Sequence, residues 1–116
     1  MRVTMTNLGS DDISIHYLGQ QASPLCVLDR ACLKYFLSKE FDTEGQTHAQ
    51  WGDFVMKFVL TGGRPNWILF EHGRIVKPLV VFDKEAFLWL KEILGFQLSR
   101  QDQRDLEILK KEWEAK

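Results

Sequence analysis

Two segments of the chain carry the apolar patterns of β-strands. Residues 13–17 (ISIHY) alternate apolar and polar side chains, as a strand with one buried face requires. Residues 67–70 (WILF) are apolar throughout. Each segment is followed by a glycine, Gly19 or Gly73, and then by a second apolar run. A glycine between two such runs predicts a turn, so each segment is predicted to form an antiparallel hairpin.

These two segments are related by a displacement of 54 positions. Residues 13–41 align with residues 67–95 without a gap, and the shared core reads P-L-x-V-x-D-[RK]. Internal repetition constrains architecture more than most single-sequence signals. The pattern therefore predicts two half-repeats, 1–61 and 62–116, related by a pseudo-twofold axis.

A helical pattern follows each hairpin. Asp29 and Asp83 occupy the same place in the alignment and are predicted to be helix N-caps, where a carboxylate accepts from free backbone N–H groups. Apolar residues then recur at helical spacing, and Gly95 is a predicted C-cap. The first stripe is Cys32, Leu33, Phe36 and Leu37, and the second is Ala86, Phe87, Leu90, Ile93 and Leu94.

A second helix is predicted after each of these. Residues 47–60 place apolar side chains at i, i+3, i+4, i+7 and i+8, which favours a helix that Gly62 would end. Ser99 is a predicted N-cap for a last, mostly polar helix that carries Leu106, Leu109 and Trp113 on one side. With a short strand over residues 1–6, the predicted order is hairpin–helix–helix, twice.

These elements predict an α+β fold, an antiparallel sheet of two hairpins with helices packed on it. A chain of 116 residues is predicted to form one domain, 1–116. No apolar run approaches the ~20 residues that span a bilayer, and the first residues lack the apolar region of a signal peptide. Cys26 and Cys32 lie in predicted core segments, which favours a reducing, cytoplasmic location and no membrane partner.

The residues that could do chemistry form no known motif. Cys26 and Cys32 are separated by five residues, whereas paired zinc ligands are usually two to four apart. The chain has no G-x-S-x-G segment and no Walker loop. We therefore predict no metal, no cofactor and no enzymatic activity. One alternative stays open, in which Asp29 and Asp83 line one cleft and act as acid and base.

The aromatic content is the main indication of function. Four tryptophans are many for this length, and exposed tryptophans often anchor protein interfaces. Leu88 and Trp89 lie away from the apolar stripe of their predicted helix, and Trp113 lies near the end of a polar one. The sequence predicts that Leu88, Trp89 and Trp113 bind another protein or a second copy of this chain. The predicted function is a small non-enzymatic intracellular regulator or inhibitor.

An alternative function follows from the charge distribution. The net charge of −1 argues against a dedicated nucleic-acid-binding protein, but residues 1–53 carry −3 and residues 54–116 carry +2. Arg64, Arg74 and Lys77 lie around the second predicted hairpin, among aromatic residues. Basic and aromatic side chains on one sheet can hold a nucleic-acid backbone and its bases. The alternative is therefore a nucleic-acid-binding regulator that uses these three residues.

Overall fold

The computed structural model of the chain describes residues 3–9, 11–17, 20, 24–71 and 78–114, without the side chains of Asn7 and Trp113. These residues form seven strands and three helices. In chain order they are β1 (Val3–Asn7), β2 (Asp12–Tyr17), β3 (Cys26–Asp29), α1 (Arg30–Ser38), β4 (His48–Trp51), β5 (Phe54–Thr61), β6 (Arg64–Glu71), β7 (Val80–Asp83), α2 (Lys84–Ile93) and α3 (Arg100–Glu114).

The strands form two antiparallel sheets, and the predicted α+β class is confirmed. The first sheet has the order β1-β2-β3 and the second has the order β4-β5-β6-β7. A single sheet made of both hairpins is not what forms, because the strands of each half pair only with their sequence neighbours. The predicted first strand is present as β1.

The two sheets share their pairing register. Ile13 pairs with Leu28 in the first sheet, and Trp67 pairs with Phe82 in the second, each 54 positions later. The contact that precedes each edge strand is also matched: Leu25 N donates to Ile15 O at 2.7 Å, and Leu79 N donates to Leu69 O at 2.8 Å. The order β1-β2-β3-α1 thus corresponds to β5-β6-β7-α2. A duplication and a pseudo-twofold axis stay predictions.

Both repeated aspartates are N-caps, as predicted. The Asp29 carboxylate accepts from Ala31 N, and the Asp83 carboxylate accepts from Ala86 N, each at 2.8 Å. Ser99 caps α3 by accepting from Asp102 N at 3.1 Å. Each helix therefore begins where a side chain satisfies a backbone N–H that the helix itself leaves free.

The helix predicted over residues 47–60 is wrong, since this segment forms the β4–β5 hairpin. Gly52 has φ +56 and occupies a two-residue turn between Trp51 and Phe54, which ends any helical path there. The apolar residues that matched helical spacing lie on both faces of β5. A strand with two apolar faces has no clean alternation, so its pattern resembled that of a helix.

One cluster of buried side chains joins the two sheets with α1 and α2. It includes Ile13 and Ile15 of β2, Leu69 of β6, Phe36 of α1 and Leu90 of α2, each 0% exposed. The helices reach across to the other sheet: α1 contacts β4, and α2 contacts β1. The two sheets therefore share one core.

The predicted apolar stripes are buried in α1 but only in part in α2. Cys32, Leu33, Phe36 and Leu37 are all buried, whereas Ile93 near the end of α2 is 39% exposed. Gly95 follows that end with φ +79, as a C-cap glycine does. The predicted turns at Gly19 and Gly73 lie outside the described residues. No described helix has both the length and the apolar character needed to cross a membrane.

Candidate protein-binding surface

The second sheet has one face on the core and one face directed away from it. Met56, Leu69 and Phe82 point inward and are 0% exposed. Strand neighbours point to opposite faces, so the residues between them point outward. We call this side of β5–β7 the outer face, and its members are Val55, Lys57, Val59, Ile68, Phe70 and Val81.

Two apolar side chains of the outer face are open to solvent, whereas its member Val55 is buried at 6% exposed. Val81 is 45% exposed and Val59 is 36% exposed, while Ile68 and Phe70 are half-buried. The register makes them neighbours, because Ile68 pairs with both Lys57 and Val81. None of the six residues of the outer face belongs to the core cluster. Isolated exposed apolar residues are ordinary, but a contiguous exposed patch is typical of a binding surface.

A single lysine, Lys57 on β5, lies at one side of this patch, with His48 of β4 as its neighbour on the other side. Lys57 pairs with Ile68 across the sheet and is half-buried. Its ammonium group lies 5.6 Å from the centre of the Phe70 ring, a cation–π distance. Within the described part of the chain, Lys57 forms no ion pair. The carboxylate that shares this face by register, Asp83, is engaged as the N-cap of α2.

The matching face of the first sheet has the opposite character. We call it the polar face; its members are Thr4, Thr6, Ser14, His16 and Val27. Ser14 and His16 are buried although they are polar. The Thr6 hydroxyl and His16 Nε2 share a hydrogen bond of 2.7 Å, and His16 Nδ1 lies 3.3 Å from the carbonyl oxygen of Tyr17. Buried polar groups are tolerated when they are paired in this way.

The two faces can be compared position by position. By register, Ser14 corresponds to Ile68, His16 to Phe70, and Val27 to Val81. The first sheet thus buries polar side chains where the second sheet exposes apolar ones. Val27 is the exception, since it is 48% exposed and matches Val81 closely. The same strand arrangement therefore presents one extended apolar surface, and that surface is the outer face.

The residues predicted to bind a protein are only partly available at the surface. Leu88 is only 3% exposed, so it is buried rather than available at the surface, although it lies outside the core cluster that contains Ala86 and Phe87. Trp89 is half-buried. The side chain of Trp113 lies outside the described residues. A binding role for these three residues stays a prediction.

Leu88 lines a cleft of about 370 Å³ between the end of α1, α2 and the start of α3. The ring of Phe87 in its wall stacks on Trp67 at 4.0 Å and also lies 5.0 Å from the ammonium group of Lys91. Lys84 in the same wall is paired with Asp105 at 2.6 Å. The wall also carries the carboxyl groups of Glu40 and Asp102. These contacts tie α2 to β6 and α3, and the mixed charges favour no class of ligand.

The residues of the nucleic-acid alternative are not brought together within the described part of the chain. Arg64 is exposed at the start of β6, beside the turn that joins β5 and β6. Arg74 and Lys77 lie outside the described residues. Trp67 points toward the core and Ile68 toward the outer face, so no row of stacked aromatic and basic residues forms around Arg64.

The structure shows the surroundings of the residues considered for catalysis or metal binding, which are Asp29, Asp83, Cys26 and Cys32. Asp29 lines a cavity of about 300 Å³ with Asp11, Arg30 and Lys34, and Asp83 is not among the residues of that wall. Burial raises the pKa of Cys26 to about 12, with the neighbouring Cys32 adding to the shift. Burial likewise raises the pKa of Cys32 to about 12, so both thiols are neutral at pH 7. Within the described residues, no three His, Cys, Asp or Glu side chains could hold a metal ion.

Sequence reasoning missed the outer face, although a signal for it exists. The alternation in residues 13–17 is lost in residues 67–70, where Ile68 and Phe70 stand in the place of Ser14 and His16. A strand that is apolar on both faces is buried on both faces or binds something. Comparison of the chain with protein-family models, with curated proteins and with solved structures found no match.

Proposed function

We propose that this protein is a small non-enzymatic regulator or inhibitor that binds another protein through the outer face. The observation that carries the proposal is the apolar patch in which half-buried Ile68 lies between the exposed Val59 and Val81, in a sheet whose other face already forms the core. Covering a partner's functional surface would be the mechanism.

The comparison of the two sheets supports this choice of surface. Each sheet carries an exposed valine at the same register position, Val27 or Val81, but the residues beside it differ. The first sheet has Ser14 and His16 at the positions of Ile68 and Phe70. Burying one exposed valine in an interface contributes about 1 kcal/mol or more, so several adjacent residues add up to a useful affinity.

The proposal includes a reducing, cytoplasmic setting. Cys26 and Cys32 are both free thiols with raised pKa values. Proteins of reducing compartments keep such cysteines as small buried apolar residues. This support is independent of the outer face.

The experiment uses two matched variants, Val81→Asp on the outer face and Val27→Asp at the same register position of the first sheet. The two valines are 45% and 48% exposed, so the substitutions perturb the fold to a similar, small extent. Each purified protein captures partners from a lysate of the source organism, and mass spectrometry quantifies what is retained. We expect specific proteins to be retained by the wild type and by Val27→Asp, but not by Val81→Asp.

Thermal unfolding of both variants provides the control for folding. A captured protein that both variants retain equally does not use the outer face. If no protein is lost selectively from Val81→Asp, the proposed function is wrong in this form. The Trp89→Ala variant tests the earlier predicted surface in the same assay, because loss of binding there would move the interface to α2.

A further inference from the structure

We infer that the partner surface is acidic as well as apolar, with carboxylate groups opposite Lys57 and Arg64. This inference rests on the proposed function and specifies the chemistry of the partner. It identifies the occupant of the outer face as a protein segment in which Asp or Glu residues are interspersed with apolar ones.

The position of Lys57 carries the inference. Lys57 is half-buried as a residue, its ammonium group interacts with the Phe70 ring, and it has no carboxylate partner in the described residues. A partner that covered the patch with apolar groups alone would bury this charge unpaired, which is strongly unfavourable. A carboxylate on the partner removes that penalty and fixes the register of binding.

A second cation extends the same pattern. Arg64 is exposed at the start of β6, where its register partner is Thr61, and it forms no ion pair within the described residues. Lys57 and Arg64 lie on the same face, with Val59 and Asn66 between them. Positive groups at one side and at one end of an apolar surface select against basic partners as well as for acidic ones.

The same charge argues against a second copy of this chain as the occupant. In a twofold dimer formed through the outer face, each patch meets an identical patch. Both copies of Lys57 would then lie in one interface. Like charges placed opposite each other in an interface oppose association, so the outer face fits a different protein better than itself.

The test uses short displayed peptides in three matched pools that share apolar residues and differ in carrying Asp/Glu, Lys/Arg or Ser/Asn. We expect the wild type to enrich the acidic pool by about tenfold or more over the basic pool. Lys57→Glu reverses that preference, whereas Lys34→Glu, which changes the net charge equally on the exposed side of α1, leaves it unchanged. Val81→Asp loses enrichment of every pool, and Val27→Asp keeps it.

The outcomes separate the two proposals. If Val81→Asp abolishes binding but Lys57→Glu changes no preference, the outer face binds partners and the inference about charge is wrong. If Val81→Asp behaves like Val27→Asp, the proposed function itself is wrong. Absence of acidic enrichment by the wild type overturns the inference.

Two further measurements test the other occupants. Sedimentation of the wild type that shows a dimer, lost in Val81→Asp, would make a second copy the occupant. Salt-dependent retention on double-stranded DNA that both Lys57→Glu and Arg64→Glu abolish would make the occupant a nucleic acid. Either result contradicts the acidic protein partner.

Discussion

The polar face of the first sheet and the outer face of the second sheet have the same strand pairing and opposite surfaces. In the first, His16 is fully buried and hydrogen-bonded to Thr6. In the second, its counterpart Phe70 is half-buried beside a lysine. The pairing register is common to both sheets, so the register by itself does not determine the character of these faces. Folding requires neither an exposed valine nor an unpaired lysine, and this makes the outer face a candidate for binding.

The largest expected effect on the free energy of unfolding concerns the core-facing sides of the two sheets. It tests whether these sides contribute equally to stability, although the polar face and the outer face differ. Ile15→Ala and Leu69→Ala remove register-equivalent side chains that are both 0% exposed and belong to one core cluster. Each should lower the free energy of unfolding by about 2–5 kcal/mol, because each leaves a cavity. Urea denaturation measures this. Two separate transitions, one affected by each variant, would show that the sheets do not share a core.

A smaller effect distinguishes the polar face from the outer face. Thr6→Ala should cost about 1–2 kcal/mol of unfolding free energy, because it leaves the buried His16 ring nitrogen without its partner at 2.7 Å. Lys57→Ala, at the corresponding position of β5, should change stability by less than about 0.5 kcal/mol. Thr6→Ser keeps the hydroxyl and serves as the control. Equal costs for Thr6→Ala and Lys57→Ala would remove the contrast between the two faces.

The two N-cap aspartates allow a second comparison between corresponding helices, α1 and α2. The expected loss of unfolding free energy is similar in size to that for Thr6→Ala. Asp29→Ala and Asp83→Ala should each cost about 1 kcal/mol of unfolding free energy, since each removes an acceptor for a backbone N–H at 2.8 Å. We expect the larger cost at Asp83, whose hydrogen bond is partly buried whereas that of Asp29 is exposed. Chemical denaturation checks both, with the Asp→Asn variants as controls that retain the cap. A larger loss at Asp29 would contradict the prediction.

The smallest effect concerns α3, which has no counterpart in the first half among the described residues. The hydrogen bond and charge of Lys84, with the side-chain amide of Gln101, lower the pKa of the Asp105 carboxyl below its ordinary value. A carboxyl with a lowered folded-state pKa stabilises the fold above its unfolded pKa, and the contribution is lost as pH falls through the folded value. Lys84→Met should therefore raise the pKa of Asp105 and weaken the pH dependence of stability at acid pH.

An NMR titration of the Asp105 carboxyl measures this shift directly. Lys110→Met is the control, because it removes the ion pair with Glu92 elsewhere on α3 and should leave the Asp105 titration unchanged. An unchanged pKa in Lys84→Met would show that Lys84 does not set it.

Local signals in the sequence predicted much of the fold. The strands around Ile13 and Trp67, the two N-cap aspartates and the helices after them follow from alternation, capping chemistry and helical spacing. The hairpin over residues 48–61 did not, because apolar residues on both faces of β5 hid its period. Whether the hairpins form one sheet or two depends on long-range packing, which no local pattern contains.

The candidate surface was harder to predict than the fold. Exposure separates Val81, at 45%, from Phe82, at 0%, although the two are adjacent and both apolar. By helical spacing Leu88 lies away from the apolar stripe of α2, yet it is buried beside the cleft that α2 forms with the segment after α1 and the start of α3. Those contacts exist only in the folded chain, so periodicity within a single helix could not reveal them.

The reciprocal contacts of α1 with β4 and of α2 with β1 also determine when this protein can fold during synthesis. β1 leaves the ribosome well before α2, the helix that contacts it. Contacts between such distant segments close late and fold slowly. Until α2 emerges, the side chains of the first sheet that it covers remain exposed, so the nascent chain is expected to be a substrate for chaperones.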